Sequence, residues 1–320
     1  MPIIAVTLQQ FCRDDDRPRR LLVEAGWSLR EQTLGRRLRS EELQDFLEGA
    51  EAVLAGVEPY DAALLAALPT LRCISRCGVG TDAIDLDAAE RLGITVRTTP
   101  EEVVEPVAEL TLAMILALAR HLPQHAHETR QGRWQKRTGA LLSEWTIGLI
   151  GYGRIGRAVE RLLRPMHPTT LVSDPRLDAA SELPPGVHWR ALPELLAQAD
   201  VVSLHAERPS GAAPILGQAQ FALMKPGSYL VNTARGALLD EAALQEALAS
   251  GRVAGAALDV FAQEPYAGPL ATLPQVLCTP HIATLTRASR AAMEYRAASN
   301  VVEWFRHATM ASSGGVGARA

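Results

Sequence analysis

The chain has 320 residues, 48% of them hydrophobic and 21% charged, a profile that suits a globular protein with room for two ordinary domains, each with its own core. A formal net charge of -4 and 5% aromatic residues provide neither the basic stripe nor the stacking platforms of a nucleic-acid binder. The longest clean apolar run, 110–119, is too short to cross a bilayer.

Short apolar segments alternate with helical patterns from end to end, as a parallel-sheet α/β chain requires. The opening residues read as a core strand over 3–8, without a basic leader or cleavage site. Further strands are expected at 52–55, 73–75 and 95–97, with helices at 40–48, 61–68 and 86–92. The acidic-basic run from Asp14 to Arg20 reads as a solvated loop leading into a helix. Pro106 suits the first turn of a long helix that runs to about Leu122, where Pro123 is expected to stop it.

A polar, basic stretch over 130–143 precedes a strand at 146–150. Strands at 170–174, 201–205, 228–232, 255–260 and 276–278 follow, with helices at 192–197 and 218–224. Asp240 reads as the N-cap of a helix closed by Gly251. A last helix is expected from 287 to about 307, and 311–320 as a flexible tail. Cys12, Cys73, Cys77 and Cys278 lack paired zinc spacing and read as buried free thiols of a reducing cytoplasm. His121, His125 and His127 are interrupted by Pro123, so no metal site is expected.

Three groups of residues carry chemistry. Gly151, Gly153 and Gly156 form a G-x-G-x-x-G between an apolar strand and a helix, the context a dinucleotide fingerprint requires. They would serve, in order, the tight turn, the approach of the pyrophosphate and helix–strand packing, with the amides of Arg154 and Ile155 facing phosphates. Asp174 lies at the spacing expected of a ribose-binding acid, which favours NAD over NADP, while Arg176 could neutralise part of its charge. Downstream, Arg235, Glu264 and His281 each follow a strand-like run. Such a histidine moves protons near neutral pH, a carboxylate fixes its tautomer, and the guanidinium fork matches a carboxylate. Together they describe hydride transfer to or from an anionic substrate. Asp259 reads either as a loop-cap acid or, the favoured alternative, as a residue near the nicotinamide carboxamide.

The fingerprint lies in mid-chain, so a nucleotide domain over 100–285 is expected between two pieces of a substrate domain, 1–99 and 286–310, with hinges near 99–105 and 282–288. Arg76, Lys136 and Arg137 flank the expected substrate loops. They read equally as contacts for a distal phosphate or carboxylate and as ordinary surface charge.

The motifs Gly-Tyr-Gly-Arg-Ile-Gly at 151–156, Val-Asn-Thr-Ala-Arg-Gly at 231–236, Leu-Asp-Val-Phe at 258–261 with Glu264-Pro265, and Thr-Pro-His at 279–281 resemble the D-isomer-specific 2-hydroxyacid dehydrogenases, in their phosphoglycerate-dehydrogenase-like branch. The resemblance runs from the loop at 75–82 to the last helix. It implies two doubly wound parallel-sheet domains, a Rossmann NAD domain inserted into a flavodoxin-like substrate domain. It implies NAD as cofactor, a small 2-hydroxy or 2-keto acid as substrate and a cytoplasmic homodimer, paired through the long helix near 106–122 and its flanks. It assigns the carboxylate clamp to Arg235, acid–base transfer to His281 with Glu264 as partner, and the substrate cradle to the amides of Gly78, Val79 and Gly80. Thr99, Arg154, Ile155, Asp174, Ala206, Thr233, Asp259 and Thr284 would line the cofactor. Two loops depart from the family pattern, 101–106 and 206–209, and no C-terminal regulatory domain is expected. Phosphite oxidation on the same fold and an NAD-sensing, corepressor-like binding role stay open as alternatives.

Overall fold

A computed structural model describes residues 1–207 and 211–313, with side chains to His307. It divides into two units, Met1–Val103 with Leu285–Ala320, and Val104–Thr284. Residues 100–103 and Leu285 thus group with the first unit rather than with the second.

In the first unit β1 (Ile3–Val6), α1 (Arg17–Glu24), β2 (Ser28–Glu31), α2 (Ser40–Leu47), β3 (Ala52–Ala55), α3 (Ala62–Ala66), β4 (Cys73–Arg76), α4 (Leu86–Arg91) and β5 (Thr95–Arg97) alternate. The strands are all parallel, in the order β2-β1-β3-β4-β5, the flavodoxin-like order. Ala5, Val53 and Ile74 pack with Leu43, Leu47 and Leu65 in one core cluster.

The second unit opens with α5 (Val104–Ala119) and α6 (Leu122–Arg130). Then come β6 (Thr146–Ile150), α7 (Arg154–Leu163), β7 (Thr169–Ser173), β8 (Val187–Trp189), α8 (Leu192–Gln198), β9 (Val201–Leu204), α9 (Gln218–Leu223), β10 (Ser228–Asn232), α10 (Glu241–Ala249), β11 (Val253–Leu258) and β12 (Val276–Cys278). Its seven parallel strands run β12-β11-β10-β9-β6-β7-β8, so the order reverses at β6 and β9, the switch point where doubly wound sheets bind ligands. Ile147 and Leu149 of β6 join Met114, Ile115 and Leu118 of α5 and Val159 and Leu163 of α7 on one face. Ile150 joins Leu195, Leu196, Phe221 and Leu244 on the other. Apolar burial on both faces is what makes these strands read as continuous hydrophobic runs. The chain returns to the first unit through α11 (Arg287–Ser313), whose Ala297, Ala298 and Val301 are fully buried there.

Four expectations need correction. The basic half of the run at 14–20 is helical, and Arg19 bonds both carboxylate oxygens of Glu31 on β2 at 2.7 Å. Pro123 begins a helix instead of ending one: α5 stops at Ala119, His121 turns with φ +51°, and Pro123 occupies the first turn of α6. The last helix continues to Ser313, into the segment expected to be a tail; residues 314–320 lie outside the described ones. All four cysteines are free, but Cys12 and Cys278 are only partly buried. No single helix among the described residues is long and apolar enough to cross a membrane.

Candidate active site

The fingerprint glycines are explained by contact. A Cβ on Gly151, where φ is +93°, would sit 2.6 Å from the carbonyl of His205 and 2.7 Å from the amide of Ala206. The loop after β6 therefore touches the loop after β9 at the switch point. On Gly156 a Cβ would meet the Gly151 carbonyl oxygen at 2.3 Å. Gly153, the N-cap of α7, is different, since its nearest neighbour is Arg176 Nη2 at 3.5 Å. That open side lies before the first turn of α7, which begins with Arg154 and Ile155, and a helix start of this kind can receive a phosphate.

Asp174 follows β7 at 6% exposure. Its Oδ2 accepts from Tyr152 N at 2.8 Å and Arg176 Nη2 at 2.9 Å, and its Oδ1 from Arg176 N at 2.9 Å and Nε at 3.0 Å. The Arg176 guanidinium, with these amides, holds the carboxyl well below the usual carboxylate range. Four donors fill its lone pairs, so ribose hydroxyls reach Asp174 only if the guanidinium moves. The Arg176 side chain is itself 74% exposed. Beside the fingerprint, His205 Nε2 lies 2.9 Å from Ser203 Oγ, while Nδ1 is buried without a partner. Burial pushes this imidazole down to about 4. The sequence reading passed over it.

The catalytic candidates of this unit sit on three loops at the C-terminal ends of β10, β11 and β12. After β10, the buried Asn232 folds the turn: its Oδ1 accepts from Ala234 N at 3.1 Å, and its Nδ2 donates to Arg235 O at 2.9 Å. Arg235 is partly buried and donates to Ala234 O at 2.7 Å. A Cβ on Gly236 would lie 1.9 Å from the carbonyl carbon of Phe261, so the arginine loop rests directly on the backbone of the glutamate loop. There Glu264 Oε1 accepts from Phe261 N at 3.1 Å, and Ala262 N donates to Glu241 of α10 at 2.7 Å.

Glu264 Oε2 lies 2.9 Å from His281 Nδ1. A carboxylate only accepts, so the ring proton is on Nδ1 and Nε2 of the neutral ring keeps its lone pair. His281 itself is in the left-handed region, φ +53°. Asp259, with no exposed surface, holds that loop. Its Oδ1 accepts from Thr279 Oγ1 at 2.6 Å and Ile282 N at 2.8 Å, its Oδ2 from Ala283 N at 3.0 Å, and its carbonyl from His281 N at 2.9 Å. The loop-cap reading of Asp259 is thus realised. Thr284 is partly buried at the end of this loop, as is Ala206 after His205. Thr233 Oγ1 pairs with Thr111 Oγ1 of α5 at 2.8 Å. Of the departing loop at 206–209, Arg208 and Pro209 lie outside the described residues.

In the first unit, Gly78 (φ +143°) opens the loop after β4, followed by the partly buried Val79 and Gly80. Thr99 brackets it: its Oγ1 accepts from Gly78 N at 2.8 Å, and its amide donates to Gly78 O at 3.0 Å. Arg76 donates to Cys77 O, and a Cβ on Gly78 would meet its Nη1 at 2.7 Å, so the guanidinium lies against its own loop. Arg137 pairs with Glu128 of α6, and Lys136 is exposed. Their stretch packs on the end of α5, through Ala140 N to Ala119 O at 3.0 Å and Thr138 O to the His121 ring at 3.2 Å. That ring lies 6.2 Å from Tyr229, at the start of β10. Lys136 and Arg137 thus belong to a stretch that packs near the start of β10, the strand whose other end leads to Arg235.

Residues 112–283 match the NAD-binding domain of the D-isomer specific 2-hydroxyacid dehydrogenases. D-3-phosphoglycerate dehydrogenase of Mycobacterium tuberculosis is 38% identical over 261 residues, 80% of this chain and 49% of that protein. The chain thus spans about half the length of the phosphoglycerate dehydrogenases it matches. Glyoxylate reductase of Pyrococcus furiosus is 33% identical over 282 residues, 85% of this chain and 84% of that one. D-lactate dehydrogenase from Aquifex aeolicus, solved with NAD and lactic acid, superposes with a TM-score of 0.80 at 27% identity, covering 99% of this chain and 100% of that one.

Two predictions follow from the geometry. Gly236→Ala drives a methyl into the Phe261 carbonyl and is expected to cost at least about 2 kcal/mol in denaturant unfolding, whereas Gly153→Ala is expected to cost less than about 1 kcal/mol while weakening dinucleotide binding. Equal costs would contradict the contact argument. The second concerns acid. His205 takes up its proton near pH 6.5 when unfolded but only near 4 when folded, so the unfolded state binds more protons in between. Stability is then full above about pH 6.5 and falls, by up to about 3 kcal/mol, as pH drops towards 4. Melting temperatures across that window should show the loss, and His205→Gln should flatten it.

Proposed function

The chain belongs to the D-isomer-specific 2-hydroxyacid dehydrogenase family, and from that premise we propose that it interconverts a D-2-hydroxy acid and its 2-keto acid by NAD-dependent hydride transfer. The observation that carries the proposal is the 2.9 Å bond between His281 Nδ1 and Glu264 Oε2, on a loop that the Arg235 turn touches through Gly236. The cofactor, when bound, supplies the hydride acceptor or donor. The residues present suit a dinucleotide: an open glycine at the start of α7, an acid after β7 and a buried, unpartnered His205 nitrogen. Thr99, Arg154, Ile155, Asp174, Ala206, Thr233, Asp259 and Thr284 are proposed to line it.

In oxidation, His281 Nε2 takes the hydroxyl proton, and Glu264 steadies the imidazolium that forms. In reduction the same nitrogen returns the proton to the oxygen. The Arg235 fork binds the substrate carboxylate and stabilises charge growing on the 2-oxygen. The amides of Gly78, Val79 and Gly80 are proposed as further contacts for the substrate carboxylate. Arg76 rests on its own loop and Arg137 on Glu128, which favours short 2-keto acids such as glyoxylate over substrates with a distal anion. A cytoplasmic homodimer belongs to the same proposal. The flanks of α5 and α6 expose Trp134 at 83%, Leu141 at 64% and Leu122 at 54%, apolar surface that a second copy would cover.

NADH oxidation across a panel of 2-keto acids tests the reading. His281→Ala is expected to lower kcat by about 10²–10⁴-fold with NADH affinity retained, and Glu264→Gln to shift the pH profile of turnover. Wild-type turnover in the histidine variant would remove His281 from the chemistry. Arg76→Ala is expected to lower kcat/KM alike for glyoxylate and for a keto acid with a distal phosphate; a selective loss with the phosphate would restore the distal-anion role. NAD is expected to be preferred to NADP, and Asp174→Ala to narrow the kcat/KM ratio at least tenfold, roughly the effect of losing one charged contact.

A further inference from the structure

Thr111 and Thr233 form a pair whose proton directions follow from counting. Thr111, on α5, has no exposed surface, and Thr233, just past β10, is 5% exposed. Thr111 Oγ1 donates to Val107 O at 2.8 Å, the bond to the preceding turn that a helical threonine makes. A hydroxyl carries one proton. In the 2.8 Å contact between the two hydroxyls, Thr233 is therefore the donor and Thr111 the acceptor. With its only proton committed to α5, Thr233 Oγ1 presents lone pairs alone to anything else.

Position gives this polarity a use. In a doubly wound sheet each half binds one mononucleotide. Asp174 belongs to the half built from β6, β7 and β8, so the half built from β9, β10 and β11 receives the nicotinamide nucleotide. Thr233 sits at the C-terminal end of β10, on the edge where such sheets bind ligands. The neighbouring strand leads to Asp259, whose Oδ2 takes a single bond, from Ala283 N, against two on Oδ1. A carboxamide amine has two protons and no available lone pair, so it requires acceptors and is repelled by donors.

We infer that Thr233 Oγ1 is an acceptor-only contact for the carboxamide N–H of the nicotinamide, and that Thr111 is the positioning residue that keeps it so. The inference rests on the NAD reading above. Thr111 touches no ligand and acts only by holding the proton of its partner.

The test is equilibrium binding of two reduced dinucleotides to the full chain: NADH, and its 3-acetylpyridine analogue, in which a methyl replaces the amine. One neutral hydrogen bond corresponds to roughly three- to tenfold in affinity, so the unmodified chain is expected to favour NADH by at least about that factor. Thr111→Val removes the acceptor, lets the Thr233 proton turn towards the ligand, and is expected to lower the ratio roughly three- to tenfold, leaving the part that Asp259 carries. Thr111→Ser keeps the hydroxyl and is expected to restore the ratio. ADP-ribose, which lacks the nicotinamide, should bind equally to all three. An unchanged ratio in Thr111→Val, or equal weakening of both dinucleotides and ADP-ribose, overturns the inference and leaves Thr111 a packing residue. Failure of the unmodified chain to bind either NADH or ADP-ribose would overturn the NAD reading, and the inference with it.

Discussion

A buried carboxylate governs the second unit. Asp259 has no exposed surface, and burying such a group costs several kcal/mol unless its lone pairs are met. They are met by one segment, Thr279, Ile282 and Ala283. Its main chain is tied as well, the amide to Asn232 O and the carbonyl to His281 N, both at 2.9 Å. One residue thereby joins the end of β10, the end of β11 and the histidine loop. The left-handed backbone of His281 is held by this set of bonds, and the ring bond to Glu264 depends on it.

The same unit shows how glycines convert sheet topology into a site. Strand order reverses between β6 and β9, and the loops beyond those strands meet where a side chain on Gly151 would strike His205. Two strands further on, Gly236 lets the arginine loop rest on the glutamate loop. Neither contact depends on a side-chain rotamer, so both resist thermal motion better than a surface ion pair would. Open surface remains nearby, at the uncrowded side of Gly153 and at the exposed guanidinium of Arg176.

Much of the fold was legible because parallel strands buried on both faces read as apolar runs bounded by turns. β3, β5, β6, β10 and β12 begin and end where those runs do. β2 and β8 were illegible for the opposite reason: both are short edge strands, largely unburied on at least one face, as in Ser28-Leu29-Arg30-Glu31. Pro123 misled because proline suits a helix start as well as a helix stop, and only the left-handed His121 decides between them. At the candidate site, motif and resemblance named Arg235, Glu264 and His281, but the locks between their loops are contacts distant in sequence. Charge was the least legible property. Arg76 and Arg137 read equally as contacts for an anion and as surface charge; in the fold one rests on Cys77 O and the other on Glu128, pairings that only the folded chain reveals.

The step proposed for this chain moves a hydride between a nicotinamide and the second carbon of a keto acid. The most direct measurement incubates the full chain with NADH deuterated at C4 of the nicotinamide, using both C4 isotopomers, and pyruvate or another 2-keto acid, and then reads the product by NMR and chiral chromatography. Hydride transfer of this kind places deuterium on C2 of the hydroxy acid from one isotopomer, with the D configuration. Hydroxy acid of the L configuration, or product without deuterium from either isotopomer, would contradict it.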